Sequence, residues 1–213
     1  MIPRDERQLL LRRLAKAAAK RSEPPLPDAP PVGSFPMGPE GRASRFAQAF
    51  EEAGGKLFRG PVEPVMHDLA EELRAEGVTA LFFPEDDGEA RDIAMALAPF
   101  GPFALAACAE ARGGIPEVTA GFRTAEAGIA ETGSIVESSA GNRTLLPGLL
   151  ADVSVTLLPA SSLYDRMEDA LAALCADPPR NVSLCTGPSR TADIEQTITV
   201  GAHGPRKAIV VLV

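Results

Sequence analysis

The hydrophobic positions of this chain change their period along its length. In the first 20 residues Leu9, Leu10 and Leu14 recur at helical spacing among Arg7, Arg12, Arg13, Lys16 and Lys20, which predicts a short amphipathic helix. Residues 22–40 hold seven prolines. A segment so rich in a residue that lacks an amide donor reads as an extended linker. Beyond it, two patterns follow one another. Stretches with a single apolar face predict helices over Arg45–Ala53, Pro64–Glu76, Glu89–Leu97, Thr124–Ala130 and Leu163–Leu174. In the second of these Val65, Leu69 and Leu73 share a face, and Gly77 stops the run. Short continuous apolar runs predict strands at Leu57–Phe58, Val78–Phe83, Phe103–Ala107, Ile135–Val136, Val153–Leu158, Val182–Cys185 and Ala208–Val213.

Helices interleaved with fully apolar strands argue for a sheet covered on both faces, hence a three-layer α/β domain. The organisation read from the chain is a basic helical arm over 1–21, a proline-rich linker over 22–43 and the α/β domain over 44–213. With 213 residues and 45% hydrophobic positions, one globular domain with a sizeable core is affordable.

Charge narrows the function classes. The formal charge is −8, although the arm carries seven Lys or Arg against Asp5 and Glu6, so the chain as a whole is not a nucleic-acid binder. No apolar run reaches the ~18 residues that would predict a bilayer span, and no secretory signal pattern opens the chain. Three cysteines without a C-x-x-C argue against a disulfide framework and against a cysteine-only cluster or structural zinc site. The simple reading is a cytoplasmic protein with reduced thiols. His67 falls on the polar face of its helix, and no metal site is predicted. The dinucleotide-binding, P-loop and nucleophile-elbow motifs are absent.

Three segments carry candidate chemistry. Gly187-Pro188-Ser189-Arg190-Thr191-Ala192-Asp193 follows a predicted strand directly. It reads as an anion pocket at the end of a central strand, with backbone N–H groups, the Ser189 and Thr191 hydroxyls and the Arg190 fork as donors. Equally, Ser189 or Thr191 caps a helix, Asp193 complements its dipole and Arg190 makes a local ion pair. Glu131-Thr132-Gly133-Ser134 lies between a predicted helix and a strand; Glu131 is a base, a nucleophile or a polar clamp, or merely ends a helix before a glycine turn. Gly201-Ala202-His203-Gly204-Pro205 allows a tight turn that presents His203 to a ligand or to solvent.

Taken together, the stretches GIAETGSIVE at 128–137, TLLPGLLADVSV at 144–155 and GPSRTADIEQTITVGAHGPR at 187–206 resemble the lactate-utilisation protein C (LutC/YkgG) group of the LUD-domain family. The resemblance implies a Rossmann-like layer sandwich similar to the NagB/RpiA/CoA-transferase-like fold. It implies a cluster-free, non-redox subunit of an L-lactate-oxidising system, with iron–sulfur clusters in partner chains and none here. In that reading Thr132, Gly133, Gly187, Ser189, Arg190, Thr191, Asp193 and Gly204 bind a small anion such as a carboxylate or phosphate, and Glu131 or His203 handles a proton. The alternative is a free-standing CoA-transferase-like or cyclo-ligase-like enzyme using Glu131, and a further one is a pure assembly protein.

Overall fold

The structure, a computed structural model, describes residues 8–9, 11–13, 15–16, 38–60, 62–108, 118–142, 144–174, 179–192, 198–200 and 204–213. The chain divides into two units, Met1–Phe35 and Pro36–Val213. The described residues of the first are helical. Every strand among the described residues belongs to the second.

Helix α1 (Pro39–Glu52) starts inside the segment read as linker, ahead of the predicted start at Arg45. Pro39 stands in the first turn, where a missing amide forfeits no helical hydrogen bond. The last proline of the run is thus a helix opener. Phe46 and Phe50, one turn apart, stack with ring centroids 5.8 Å apart and are fully buried. The helix closes on Gly54, at φ +90°, whose N–H donates to Glu51 O at 2.8 Å.

The chain continues through β1 (Lys56–Arg59), α2 (Val62–Ala75), β2 (Ala80–Phe83), α3 (Gly88–Leu97), β3 (Ala104–Ala107) and β4 (Thr119–Thr124). Next come β5 (Ala127–Ile129), β6 (Ser134–Ser138), α4 (Leu146–Leu150), β7 (Val153–Leu158), β8 (Leu163–Tyr164) and α5 (Met167–Leu174). The last strands are β9 (Val182–Cys185), β10 (Arg190–Ala192), β11 (Ile198–Val200) and β12 (Lys207–Leu212). Six strands form an all-parallel central sheet in the order β1-β12-β7-β4-β2-β3.

On one face of this sheet Leu81, Phe122, Val153, Val155 and Ile209 pack against Leu69 and Leu73 of α2 and Ala90, Ala94 and Leu97 of α3. On the other, Ala208, Val210 and Leu212 meet Phe46 and Phe50 of α1 together with Ile135 and Leu163 of a second sheet. That second sheet has the order β8-β5-β6-β9, with β6 antiparallel to both its neighbours. The three-layer α/β architecture is therefore present, and one of its covering layers is largely β rather than helical. A hairpin of β10 and β11 stands apart from both sheets.

Three predicted elements differ. Thr124–Ala130 is not a helix: it is the end of β4 followed by β5, which pairs with Ser134–Val136. Pairing with a distant strand overrides the helix preference of an alanine-rich segment. A side chain at Gly128 would come within 2.8 Å of both Leu163 and Leu158, so this strand needs a glycine to pack. Leu163–Tyr164 is strand β8, and the helix begins only at Met167. Finally, Val182–Cys185 is an edge strand of the second sheet, not a central strand of the parallel one, and Arg190–Ala192 after it is a strand. Among the described residues 187–192 a strand stands where the strand–loop–helix junction was read, so no helix N-terminus there offers an anion site.

Candidate functional site

Strand β4 alternates Phe122, buried beneath the helices, with Gly121 and Arg123 on the opposite face. A guanidinium inside a sandwich requires partners. Arg123 is 5% exposed, and Glu137 of β6, on the facing sheet, is 2% exposed. Arg123 Nε pairs with Glu137 Oε1 and donates at 3.1 Å to Thr156 Oγ1 on the neighbouring strand β7. The pair thus joins the two sheets. It leaves two ends over: Arg123 Nη1 and Glu137 Oε2 are buried without a hydrogen-bond partner among the described residues. Burial pushes the Glu137 carboxyl up to about 7, against the opposing pull of the Arg123 charge.

Two glycines make room for this arrangement. A Cβ at Gly148 of α4 would overlap the Arg123 guanidinium, and one at Gly121 would overlap Pro147 O. Helix α4 can therefore lie directly on β4 and wall off the arginine.

Beside the pair lies a cleft of about 280 Å³, lined by Arg123, Gly148, Ser154, Cys185, Thr186, Ser189 and Gly204 among polar and small residues, with Ile135, Leu149, Leu184 and Ala208 as apolar wall. Among the described residues Arg123 is its only charged lining residue. Such a cleft has one buried cation, several hydroxyls and an apolar side, which suits a small organic anion.

The two turns singled out in the sequence do meet here. Ser189 N–H donates to Pro205 O at 2.8 Å, and Gly204 lies against the Ser189 side chain. Gly187, Ser189 and Gly204 line the cleft. Gly187 adopts φ +83°, and a side chain there would come 2.7 Å from Ala53 O. Thr132 reaches the cleft indirectly: its hydroxyl bonds that of Ser134 at 2.7 Å, which bonds that of Thr186 at 2.6 Å. Gly133, at φ +67°, lets its turn press on the backbone of Ala49 and Phe50.

Arg190 and Glu131 are placed elsewhere. Arg190 Nη2 donates at 2.8 Å to Ala53 O and so fastens the end of α1, and it does not line the cleft. Glu131 is exposed, and its carbonyl accepts from Arg45 Nη2 at 3.2 Å. Thr191 pairs with Thr199 in the β10–β11 hairpin. Asp193 and His203 lie outside the described residues.

Open parallel sheets ordinarily bind ligands outside their carboxyl ends where the strand order reverses. Here that place, between β2 and β4, is a crevice of about 480 Å³ bearing Asp86, Asp87, Glu89 and Glu126. Its sign is wrong for an anion. The cationic cleft lies between the sheets instead.

Sequence reasoning missed Arg123 and Glu137. The signal available was a charged residue next to apolar ones in segments, TAGFRT and SIVES, short enough to be buried strands. Cys108, at the end of β3, is no rival site: burial, with Glu85 and Asp86 nearby, pushes its thiol up to about 12, leaving it protonated.

Comparison with known proteins adds the family context. Residues 66–213 match the LUD domain. An uncharacterised protein of Neisseria meningitidis is 34% identical over 99 residues, 45% of this chain and 42% of that protein. Lactate utilization protein C of an Exiguobacterium species is 36% identical over 99 residues, 44% of this chain and 43% of that one. The matches thus span less than half the length of these relatives. The crystal structure of a DUF162-family protein from Deinococcus radiodurans superposes with a TM-score of 0.55, covering 83% of this chain and 99% of that one at 12% identity, a likeness of fold.

Proposed function

The chain belongs to the LUD-domain family, and we propose that it serves lactate utilisation by holding a small monocarboxylate in the cleft beside Arg123. The observation that carries this reading is the buried Nη1 that lacks an acceptor, on the one charged residue that lines the cleft among the described residues. An unmet buried donor costs about 1–3 kcal/mol, and a bound carboxylate relieves it. Thr186 and Ser189 supply hydroxyls for a 2-hydroxyl group, and Ile135 and Leu184 an apolar wall for a methyl. The name lactate utilization protein C, carried by relatives such as that of Exiguobacterium, supports the substrate class.

Oxidising a 2-hydroxy acid releases two electrons and two protons. The three cysteines of this chain lack cluster spacing, so in this reading the electrons pass to iron–sulfur clusters of partner chains. This chain contributes the seat for the acid. The alternative transferase chemistry at Glu131 gains no support from an exposed carboxylate outside the cleft.

The test is calorimetric titration of the full chain with L-lactate, set against Ser189→Leu, which fills the cleft from a half-buried position. Binding at a single site, abolished by the substitution with the melting temperature unchanged, is the expected result. Equal binding by both proteins overturns the assignment.

A further inference from the structure

Resting on the carboxylate reading above, we propose that Glu137 takes up a proton from solvent when a carboxylate binds Arg123, so that the cleft admits a monoanion together with a proton. With the cleft empty, Arg123 and Glu137 offset one another between the two sheets. A ligand carboxylate on Nη1 brings a second negative group to the same guanidinium. Two carboxylates around one buried cation cannot both stay ionised cheaply, and the protein-borne one is the group free to change.

The surroundings of Glu137 offer no second cation among the described residues. From β4 it faces Arg123. From the loop between β2 and α3 it faces Asp87, across a cavity of about 10 Å³ that both residues line. On its own sheet, Ser138 Oγ donates at 3.0 Å to Glu126 Oε1 near the start of β5, and the residue opposite Glu137 on β9 is the uncharged Ser183. Thr144 and Leu145 close the cavity without charge. Among the described residues the other ionisable groups here are carboxylates, and added negative charge drives proton uptake.

A route for the proton is also present. The small cavity is polar and of a size for about one water. Asp87 and Thr124 line both this cavity and the acidic crevice that opens at the carboxyl end of the sheet. Only Asp87 and Thr124 are shared by the two cavities, so they mark where a proton from the crevice would pass to Glu137 without crossing the ligand cleft. Burial already holds its carboxyl near about 7, where a proton is readily gained or lost at neutral pH.

The consequence for specificity is that one guanidinium and one titratable partner balance a single ligand charge. Monocarboxylates are accepted, and a dicarboxylate of similar length binds at least ~10-fold more weakly, because its second charge stays uncompensated.

The experiment is calorimetry on the full wild-type chain from pH 6 to 8.5, in buffers of differing ionisation heat, with L-lactate and formate as probes. Expected are an uptake approaching one proton at pH 8 and an affinity falling toward ~10-fold per pH unit above neutrality. Glu137→Gln, if it folds, binds with no proton uptake and a flat pH profile. The wild-type measurement decides without it. Lactate binding without proton uptake overturns this proposal and leaves the function reading standing. Formate binding with uptake while lactate fails does the reverse. Binding of neither probe removes both.

Discussion

The guanidinium of Arg123 occupies the space that a side chain at residue 148 would fill, so Gly148 on α4 is the condition for a buried arginine on β4. Gly148→Ala forces the two apart. The expected result is a loss of about 1–3 kcal/mol in urea unfolding, from overpacking against a group that cannot move freely. Lactate affinity should fall in parallel, because the arginine that lines the cleft is displaced. An alanine variant with wild-type stability and binding would contradict this packing.

The Arg123–Glu137 pair should behave as a unit. Arg123→Met strands a carboxylate that can still take a proton, whereas Glu137→Met strands a cation that cannot be neutralised. Both should destabilise, by about 3–5 kcal/mol for a buried pair broken on one side, with the glutamate substitution the more damaging. The double methionine variant should recover most of the loss, while binding no lactate. Additive losses in a double-mutant cycle would show that the two residues do not interact.

A second charge cluster governs the acid limb of stability. Lys207 of β12 and Lys56 of β1 both contact the Glu72 carboxylate on α2, and Lys207 Nζ also donates at 2.8 Å to Glu76 Oε1. Burial alone would raise the Glu72 carboxyl, but the two ammonium groups outweigh it and hold it below the ordinary 4.5. Such a group contributes stability above pH 4.5, and the contribution is lost as pH falls through the lower folded value. Glu72→Gln should therefore lower the urea midpoint at pH 7 and leave it unchanged near pH 2. Glu137 acts with the opposite sign. Between 4.5 and about 7 the folded state keeps a proton that the unfolded chain releases, so its contribution declines as pH rises through that window.

The layer architecture was legible where burial dictates composition. Val153–Leu158, buried throughout, has the bounds read from its apolar run, and Val182–Cys185 keeps its bounds although it is a partly exposed edge strand. The Gly-Pro pairs at 187–188 and 204–205 marked two turns that do face one another. What stayed hidden depends on partners far away in the chain. Gly121 and Arg123 break the apolar run that would have revealed β4, and each is tolerated only because α4 and β6 complete its surroundings. Arg190, with its exposed fork after a glycine turn, had every local mark of a ligand group. Its acceptor is the carbonyl of Ala53, 137 positions earlier, a relationship that no local pattern encodes. The buried arginine lacked those marks because a cation in a strand core is stabilised by tertiary contacts alone.

The central question is where a carboxylate settles. A crystal structure of the full chain grown with saturating L-lactate decides it. The expected ligand position is between the two sheets, with the carboxylate on Arg123 Nη1 and the hydroxyl at Thr186 or Ser189. Lactate bound at Arg190 or in the acidic crevice beside Asp87, with the cleft beside Arg123 empty, would contradict it.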